Sequence, residues 1–143
     1  MNDPFNLLRF VEAQRPVFAR AMEELRAGHK SSHWMWFIFP QLHGLGRSET
    51  AMRFAISGAA EARAYLQHEL LGPRLEQSVN IILQHSDKSA LEMLGSPDDL
   101  KLRSCLTLFA NIAPDRPQFQ LALDQFFAGE ADARTLLLLG EKS

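Results

Sequence analysis

The sequence predicts a single all-α domain over residues 1–143, a compact multihelical fold of roughly seven to nine helices. The chain has 143 residues, the usual size of one domain, and 46% of them are hydrophobic, which is too many for a disordered protein. Helix start and stop residues recur from one end to the other, whereas strand-like alternation is weak throughout. At most one short extended segment is expected, between Trp34 and Phe39, where a buried helical turn is the alternative.

Proline and capping residues mark where the helices of the first half begin. Helix starts are predicted at Asp3-Pro4, Pro16, Ser48 and Ser57. After each start, apolar residues return at the spacing of one helix face, and glycine ends the second helix near Gly28. These helices lie on either side of the aromatic segment.

The second half of the chain shows the same punctuation. Further helix starts are predicted at Gly72-Pro73, Ser86 or Asp87, Ser96-Pro97, Asp115 and Ala131. The start at Ser96-Pro97 carries the strongest signal, because Asp98 and Asp99 place negative charge where the helix dipole favours it.

Charge and composition exclude several classes of function. The formal net charge is −2 and no basic stripe is present, so we expect no nucleic-acid partner. No apolar run approaches the roughly 20 residues that span a bilayer, and the N-terminus lacks signal-peptide features, so we expect a cytoplasmic protein without membrane contact. Cys105 is the only cysteine, and the histidines lack ligand spacing with carboxylates. We therefore predict no disulfide, no metal site and no other cofactor. We also expect a monomer.

The segment at residues 30–41 is the most distinctive part of the chain. His33 lies between serines and tryptophans, where its near-neutral pKa suits a general acid or base, although a backbone-bonded structural histidine is the alternative. Trp34 and Trp36 are candidates for stacking on a flat ligand or, alternatively, for core packing. The polar members of the segment that we consider candidate ligand contacts are Lys30, Ser32 and Gln41.

A glycine-containing loop and a polar helix face supply the other candidate ligand contacts. Gly44 to Ser48 leads into a predicted helix start, where Arg47 and Ser48 are expected to contact phosphate unless the loop is only a tight turn. In the helix after Pro97, small polar residues recur at spacings of three and four, as in a pocket wall or a solvated face. This stripe consists of Lys101, Ser104, Thr107 and Asn111.

Most of the chain resembles a known family. The closest likeness to the domain-of-unknown-function 1810 family is in the run KSSHWMWFIFPQ at residues 30–41 and in GLGRS at residues 44–48. Further matches are LRFVEAQ at 8–14, LGPRL at 71–75, DLKLRS at 99–104 and TLF at 107–109. The resemblance implies a small, mostly helical bacterial protein without a settled activity.

A looser similarity connects residues 95–101 with the N-glycosidases that act on NAD- and ADP-ribose-related compounds. Both have a short helix that ends in glycine and is followed by an aspartate-containing helix start, as at Gly95 to Lys101. No residue of this chain matches the catalytic glutamate of those enzymes, so the link is an analogy.

Two hypotheses follow. In the first, the protein binds or hydrolyses a phosphate-bearing, nucleotide-like ligand in one cleft, with His33 as proton donor or orienting group and Lys101 as phosphate partner. Lys30, Ser32 and His33 would face Lys101, Ser104 and Thr107 there. The acting carboxylate is unassigned among Asp98, Asp99 and Glu12. In the second hypothesis, the protein is a non-catalytic helical interaction module, its polar motifs are buried and paired, and an apolar patch is exposed elsewhere.

Overall fold

The computed structural model describes residues 2–142, and the side chains as far as residue 140; within that part the chain is all-helical. Its helices are α1 (Leu8–Gln14), α2 (Phe18–Ala27), α3 (Met35–Ile38), α4 (Glu49–Arg53), α5 (Ala59–Gln67), α6 (Leu71–Leu83), α7 (Ala90–Leu94), α8 (Asp98–Ile112), α9 (Gln118–Phe127) and α10 (Ala133–Lys142). The predicted all-α class is confirmed. The predicted number of helices is too low, because the aromatic segment contains a single helical turn, α3, instead of an extended segment.

Capping explains where several helices begin. Ser48 caps α4 as predicted, because its hydroxyl oxygen accepts the backbone N–H of Ala51 at 3.1 Å. The predicted start of α7 at Ser86 or Asp87 is wrong, since Ser89 caps this helix and exchanges hydrogen bonds with Glu92 in a capping box. The predicted start of α1 at Asp3-Pro4 is about one turn too early, because this helix begins at Leu8.

Asp3 lies before α1 and binds the backbone at its start. Its two carboxylate oxygens accept the backbone N–H groups of Leu7 at 2.8 Å and Leu8 at 3.1 Å, so α1 begins at Leu8. These hydrogen bonds lower the pKa of Asp3 below its ordinary value. The longest helix, α8, has 15 residues, and between residues 2 and 142 no helix has the length and apolar character to cross a bilayer.

A row of buried aromatic rings joins the helices that form the core. Phe10 of α1 contacts Tyr65 of α5 edge-on, with ring centroids 5.1 Å apart. Tyr65 then contacts Phe109 of α8 at 5.8 Å, and Phe109 contacts Phe119 of α9 at 5.6 Å. All four rings are fully buried, and each pair adds about 0.5–1.5 kcal/mol beyond the burial of its area. This row packs α8 between α5 and α9, and residues of α8 also line the candidate site.

Two glycines are required by the backbone near these elements. Gly28 ends α2 in the left-handed conformation, with φ at 71°, and turns the chain into the segment that precedes α3. Gly72 lets α6 approach α5 closely, because a Cβ atom there would lie 2.1 Å from the carbonyl oxygen of Leu66.

Candidate functional site

A pocket of about 420 Å³ opens between the loop after α3, the start of α8 and the start of α10. Its volume lies in the range of small-molecule sites. The pocket is lined by six of the residues that the sequence indicated as ligand contacts: Trp36, Gln41, Arg47, Ser48, Lys101 and Ser104. The fold therefore brings residues from three separate motifs to one surface.

A short bridge fixes the loop that forms one wall of this pocket. The backbone N–H of Ile56 donates to the carbonyl oxygen of Gln41 at 2.8 Å, and that of His43 donates to Ile56 at 2.7 Å. These hydrogen bonds form the isolated parallel bridge between Leu42 and Ile56. Ser48, as the cap of α4, fixes the other end of the loop.

Asp98 joins the aromatic segment to α8. Its Oδ2 atom lies 2.9 Å from Nζ of Lys30, and its Oδ1 atom lies 3.2 Å from Nζ of Lys101. Each ammonium also lies over a tryptophan ring, Lys30 at 5.2 Å from the Trp34 centroid and Lys101 at 4.4 Å from the Trp36 centroid. We call Lys30, Asp98 and Lys101 the lysine–aspartate bridge; it holds Lys101 at the edge of the pocket.

Glu24 of α2 organises the residues that precede α3. Its carboxylate accepts the backbone N–H groups of Ser31 and Ser32, the Ser32 hydroxyl at 2.7 Å and the Trp34 indole N–H at 2.9 Å. Burial opposes the charged form of this carboxylate. The hydrogen bonds from Ser32, Ser31 and Trp34 outweigh burial and lower the pKa of Glu24 to about 2. The side chains of Ser32 and Trp34 thus donate hydrogen bonds to Glu24, and both residues lie outside the pocket lining.

The remaining predicted residues of the aromatic segment and α8 also lie outside the pocket lining. His33 is exposed and makes no hydrogen bond or ion pair with any other described residue. Lys30 forms an ion pair with Asp98. Asp99 is half-buried on the first turn of α8, where its buried Oδ1 atom lacks a partner within the described chain. Thr107 is fully buried; its hydroxyl donates to the Arg103 carbonyl at 2.8 Å. The cleft predicted between His33 and Lys101 is therefore not assembled as proposed.

The position of His33 in the chain accounts for that difference. His33 precedes the single turn of α3 and its N-cap Trp34, so helical spacing does not place it on the same side as Trp36. On α8, distance along the helix axis divides the polar stripe. Ser104, which lines the pocket, donates its hydroxyl to the Leu100 carbonyl at 3.2 Å, whereas Asn111 lies exposed about two turns further along.

Two polar residues of the pocket were missed in the sequence. Asp132 precedes α10, and its Oδ2 atom accepts the backbone N–H of Thr135 at 2.9 Å and the Thr135 hydroxyl at 2.5 Å. Arg134 donates from Nη2 to the Gly44 carbonyl at 3.2 Å and so connects α10 to the opposite wall. Asp132 followed by Thr135 is a capping pattern that can be recognised in the sequence. Arg134 reaches the pocket only because α10 docks on α8, which the sequence does not indicate.

The charges around the pocket favour an anion. Arg47, Lys101 and Arg134 supply positive charge, and Asp132 is the single carboxylate in the lining. Arg47 is exposed and has no ion-pair partner among residues 2–140. The described residues contain no group of three or more His, Cys, Asp or Glu side chains placed to hold a metal ion.

A second pocket of about 420 Å³ lies between the N-terminal segment and α5. Phe5, Leu7 and Leu8 give it a mostly apolar lining, and His68 and Asp3 are its titratable members. It contains none of the predicted site residues and no lysine or arginine, so it is the weaker candidate for a charged ligand.

Comparison with known proteins places the chain in a family without a described activity. The family model described as "Protein of unknown function (DUF1810)" matches residues 4–139. A crystal structure of the conserved hypothetical protein Rv1873 from Mycobacterium tuberculosis is 51% identical, with a TM-score of 0.95. The match covers 96% of this chain and 99% of that chain. No curated protein was found that matches the chain.

Proposed function

We infer the function from the pocket itself, because this chain belongs to the DUF1810 family, for which no function is assigned. We propose that the protein binds a small, phosphate-bearing, nucleotide-like ligand between the loop at residues 41–48 and α8. The observation that carries the proposal is the convergence of Arg47, Lys101 and Arg134 on one open pocket of about 420 Å³. Phosphate is an anion that arginine and lysine side chains bind through charge-assisted hydrogen bonds.

Each cation has a distinct part in this proposal. Arg47 is exposed and unpaired within the described chain, so its guanidinium can form a two-pronged contact with phosphate oxygens. Lys101 is only 22% exposed and is held by Asp98, so it is already oriented before the ligand arrives. Arg134 would bind the same anion from α10 while it keeps Gly44 in place.

Binding has more support in the geometry than hydrolysis. A hydrolytic mechanism needs a carboxylate and a proton donor at the reacting atoms. Asp98 is shared between two lysines, and Asp99 and the exposed His33 both lie outside the pocket lining. Glu12, the other candidate carboxylate, is exposed on α1.

A thermal-shift screen tests the proposal. The panel contains inorganic phosphate, sugar phosphates, nucleotides, ADP-ribose and NAD, each added to the wild type and to Arg47→Ala. A ligand at about 100 times its Kd adds about 2.7 kcal/mol to the free energy of unfolding, which raises Tm by several degrees. Arg20→Ala is the matched control, because Arg20 is also an exposed arginine and lies on α2, outside the pocket lining. A shift that is kept in Arg20→Ala and lost in Arg47→Ala supports the proposal.

The alternative of a helical interaction module rests on α10. Leu136 and Leu137 are adjacent on this helix and are 42% and 65% exposed. Exposed leucines of this kind are typical of partner-binding surfaces when they form a patch. No shift with any anion, together with a partner protein that binds the wild type and not Leu137→Asp, would favour this alternative over ligand binding.

A further inference from the structure

We propose that the pocket recognises the phosphate and the sugar hydroxyls of its ligand and does not stack a nucleobase. The inference rests on the proposed function and narrows its ligand class to phosphorylated sugars or polyols, including the sugar–phosphate part of a nucleotide. Its basis is the arrangement of Trp36, Lys101 and the hydrogen-bonding groups around them.

Trp36 is the only aromatic residue among those that line the pocket in the described chain. The Lys101 ammonium lies over its ring, 4.4 Å from the centroid. Base recognition by stacking requires an open aromatic face. A nucleobase that stacked on the face covered by Lys101 would have to displace this ammonium, and the protein would lose both the cation–π contact and the ion pair with Asp98 at 3.2 Å. The gain from stacking one base is of the same order as that loss, so stacking brings little net affinity.

The other polar groups of the pocket match hydroxyls. The Ser48 oxygen already accepts the Ala51 N–H, so its own O–H is free to donate. Ser104 already donates to the Leu100 carbonyl, so its oxygen presents lone pairs to the pocket. The Gln41 side chain forms no hydrogen bond with other residues of the described chain and offers both a donor and an acceptor.

Asp132 completes this hydroxyl-binding set. Its Oδ2 atom is occupied by Thr135, whereas its Oδ1 atom forms no hydrogen bond to another residue between 2 and 140. A carboxylate oxygen is an acceptor for a sugar hydroxyl and repels phosphate. The pocket lining therefore supplies two kinds of group: the cations Arg47, Lys101 and Arg134 for the phosphate, and Gln41, Ser104 and Asp132 for hydroxyls.

Isothermal titration calorimetry with four probes tests this inference. The probes are inorganic phosphate, ribose 5-phosphate, AMP and adenosine. We expect ribose 5-phosphate to bind about tenfold more tightly than phosphate, AMP to bind within about threefold of ribose 5-phosphate, and adenosine not to bind. Gln41→Leu should weaken ribose 5-phosphate about tenfold and leave phosphate unchanged, whereas Arg47→Ala should weaken both. Circular dichroism of each variant confirms that it is folded.

The outcomes separate the two proposals. AMP binding about tenfold more tightly than ribose 5-phosphate, or measurable binding of adenosine, would overturn the inference and leave the phosphate site standing. Ribose 5-phosphate binding no more tightly than phosphate would also overturn it. Failure of every phosphate compound to bind the folded wild type would overturn the proposed function and the inference together.

Discussion

The carboxylate of Glu24 makes a quantitative prediction about stability. Glu24→Gln keeps the shape of the side chain and an acceptor for the N–H groups of Ser31 and Trp34, but it removes the negative charge that strengthens these hydrogen bonds. The pKa of Glu24 falls from its ordinary value of 4.5 to about 2 in the folded protein. At about 1.36 kcal/mol per pKa unit, this difference sets an upper limit of about 3.4 kcal/mol for the stabilisation at neutral pH. Since Glu24 is partly exposed, solvent screening reduces the expected loss to about 1–2 kcal/mol.

The pH dependence has a defined direction. Because folding lowers the pKa of Glu24, its stabilisation is complete above pH 4.5 and is lost as the pH falls towards about 2. Urea unfolding of the wild type and Glu24→Gln, followed by tryptophan fluorescence at pH 7 and about 3.5, measures both quantities. We expect the difference between the two proteins to shrink by roughly 40% at the lower pH.

Glu23→Gln is the control for this experiment. Glu23 is the neighbouring glutamate on α2 and is exposed, so its substitution should change the free energy of unfolding by less than about 0.5 kcal/mol. The reasoning is refuted if the two variants are equally stable at pH 7, or if the deficit of Glu24→Gln is the same at both pH values.

Three further predictions concern the scaffold. Gly72→Ala should lower the free energy of unfolding by at least about 2 kcal/mol, because the added Cβ would collide with a backbone oxygen of α5. Chemical denaturation should show no such loss for Gly140→Ala, where nothing lies within 4 Å. Burial raises the pKa of the Cys105 thiol, so a disulfide reagent should react with it only after unfolding, as measured by absorbance of the released thiolate. Arg9→Met should cost about 2–3 kcal/mol in a thermal-unfolding experiment, because it leaves the Glu61 carboxylate, 3% exposed, without its ion-pair partner; an unchanged Tm would contradict this.

Local signals in the sequence explain which features of the fold could be predicted. Helix starts and apolar spacing depend on residues within one or two turns, so the all-α class and the capping role of Ser48 were readable. Lys101 and Ser104 are three residues apart, so helical spacing alone predicts that they share one face of α8, and both line the pocket. Arg47 was readable from its position in a loop before a helix start.

Features that depend on tertiary contacts could not be predicted from the sequence. A short aromatic run fits a strand or a helical turn equally well, so the sequence alone leaves the directions of the His33 and Trp34 side chains undetermined. The part played by Glu24 depends on where residues 31–34 fold back onto α2, and nothing local distinguishes it from Glu23. Arg134 enters the pocket only because α10 docks on α8.

The lysine–aspartate bridge has a consequence for the lifetime of the folded state. Lys30 and Asp98 are separated in the sequence by α3 to α7, so their contact closes a long loop, and we expect it to form late in folding. Interactions that form after the transition state slow unfolding and leave the folding rate nearly unchanged. The charges that orient Lys101 in the pocket should therefore also lower the unfolding rate, because they must separate before α3 and α8 come apart.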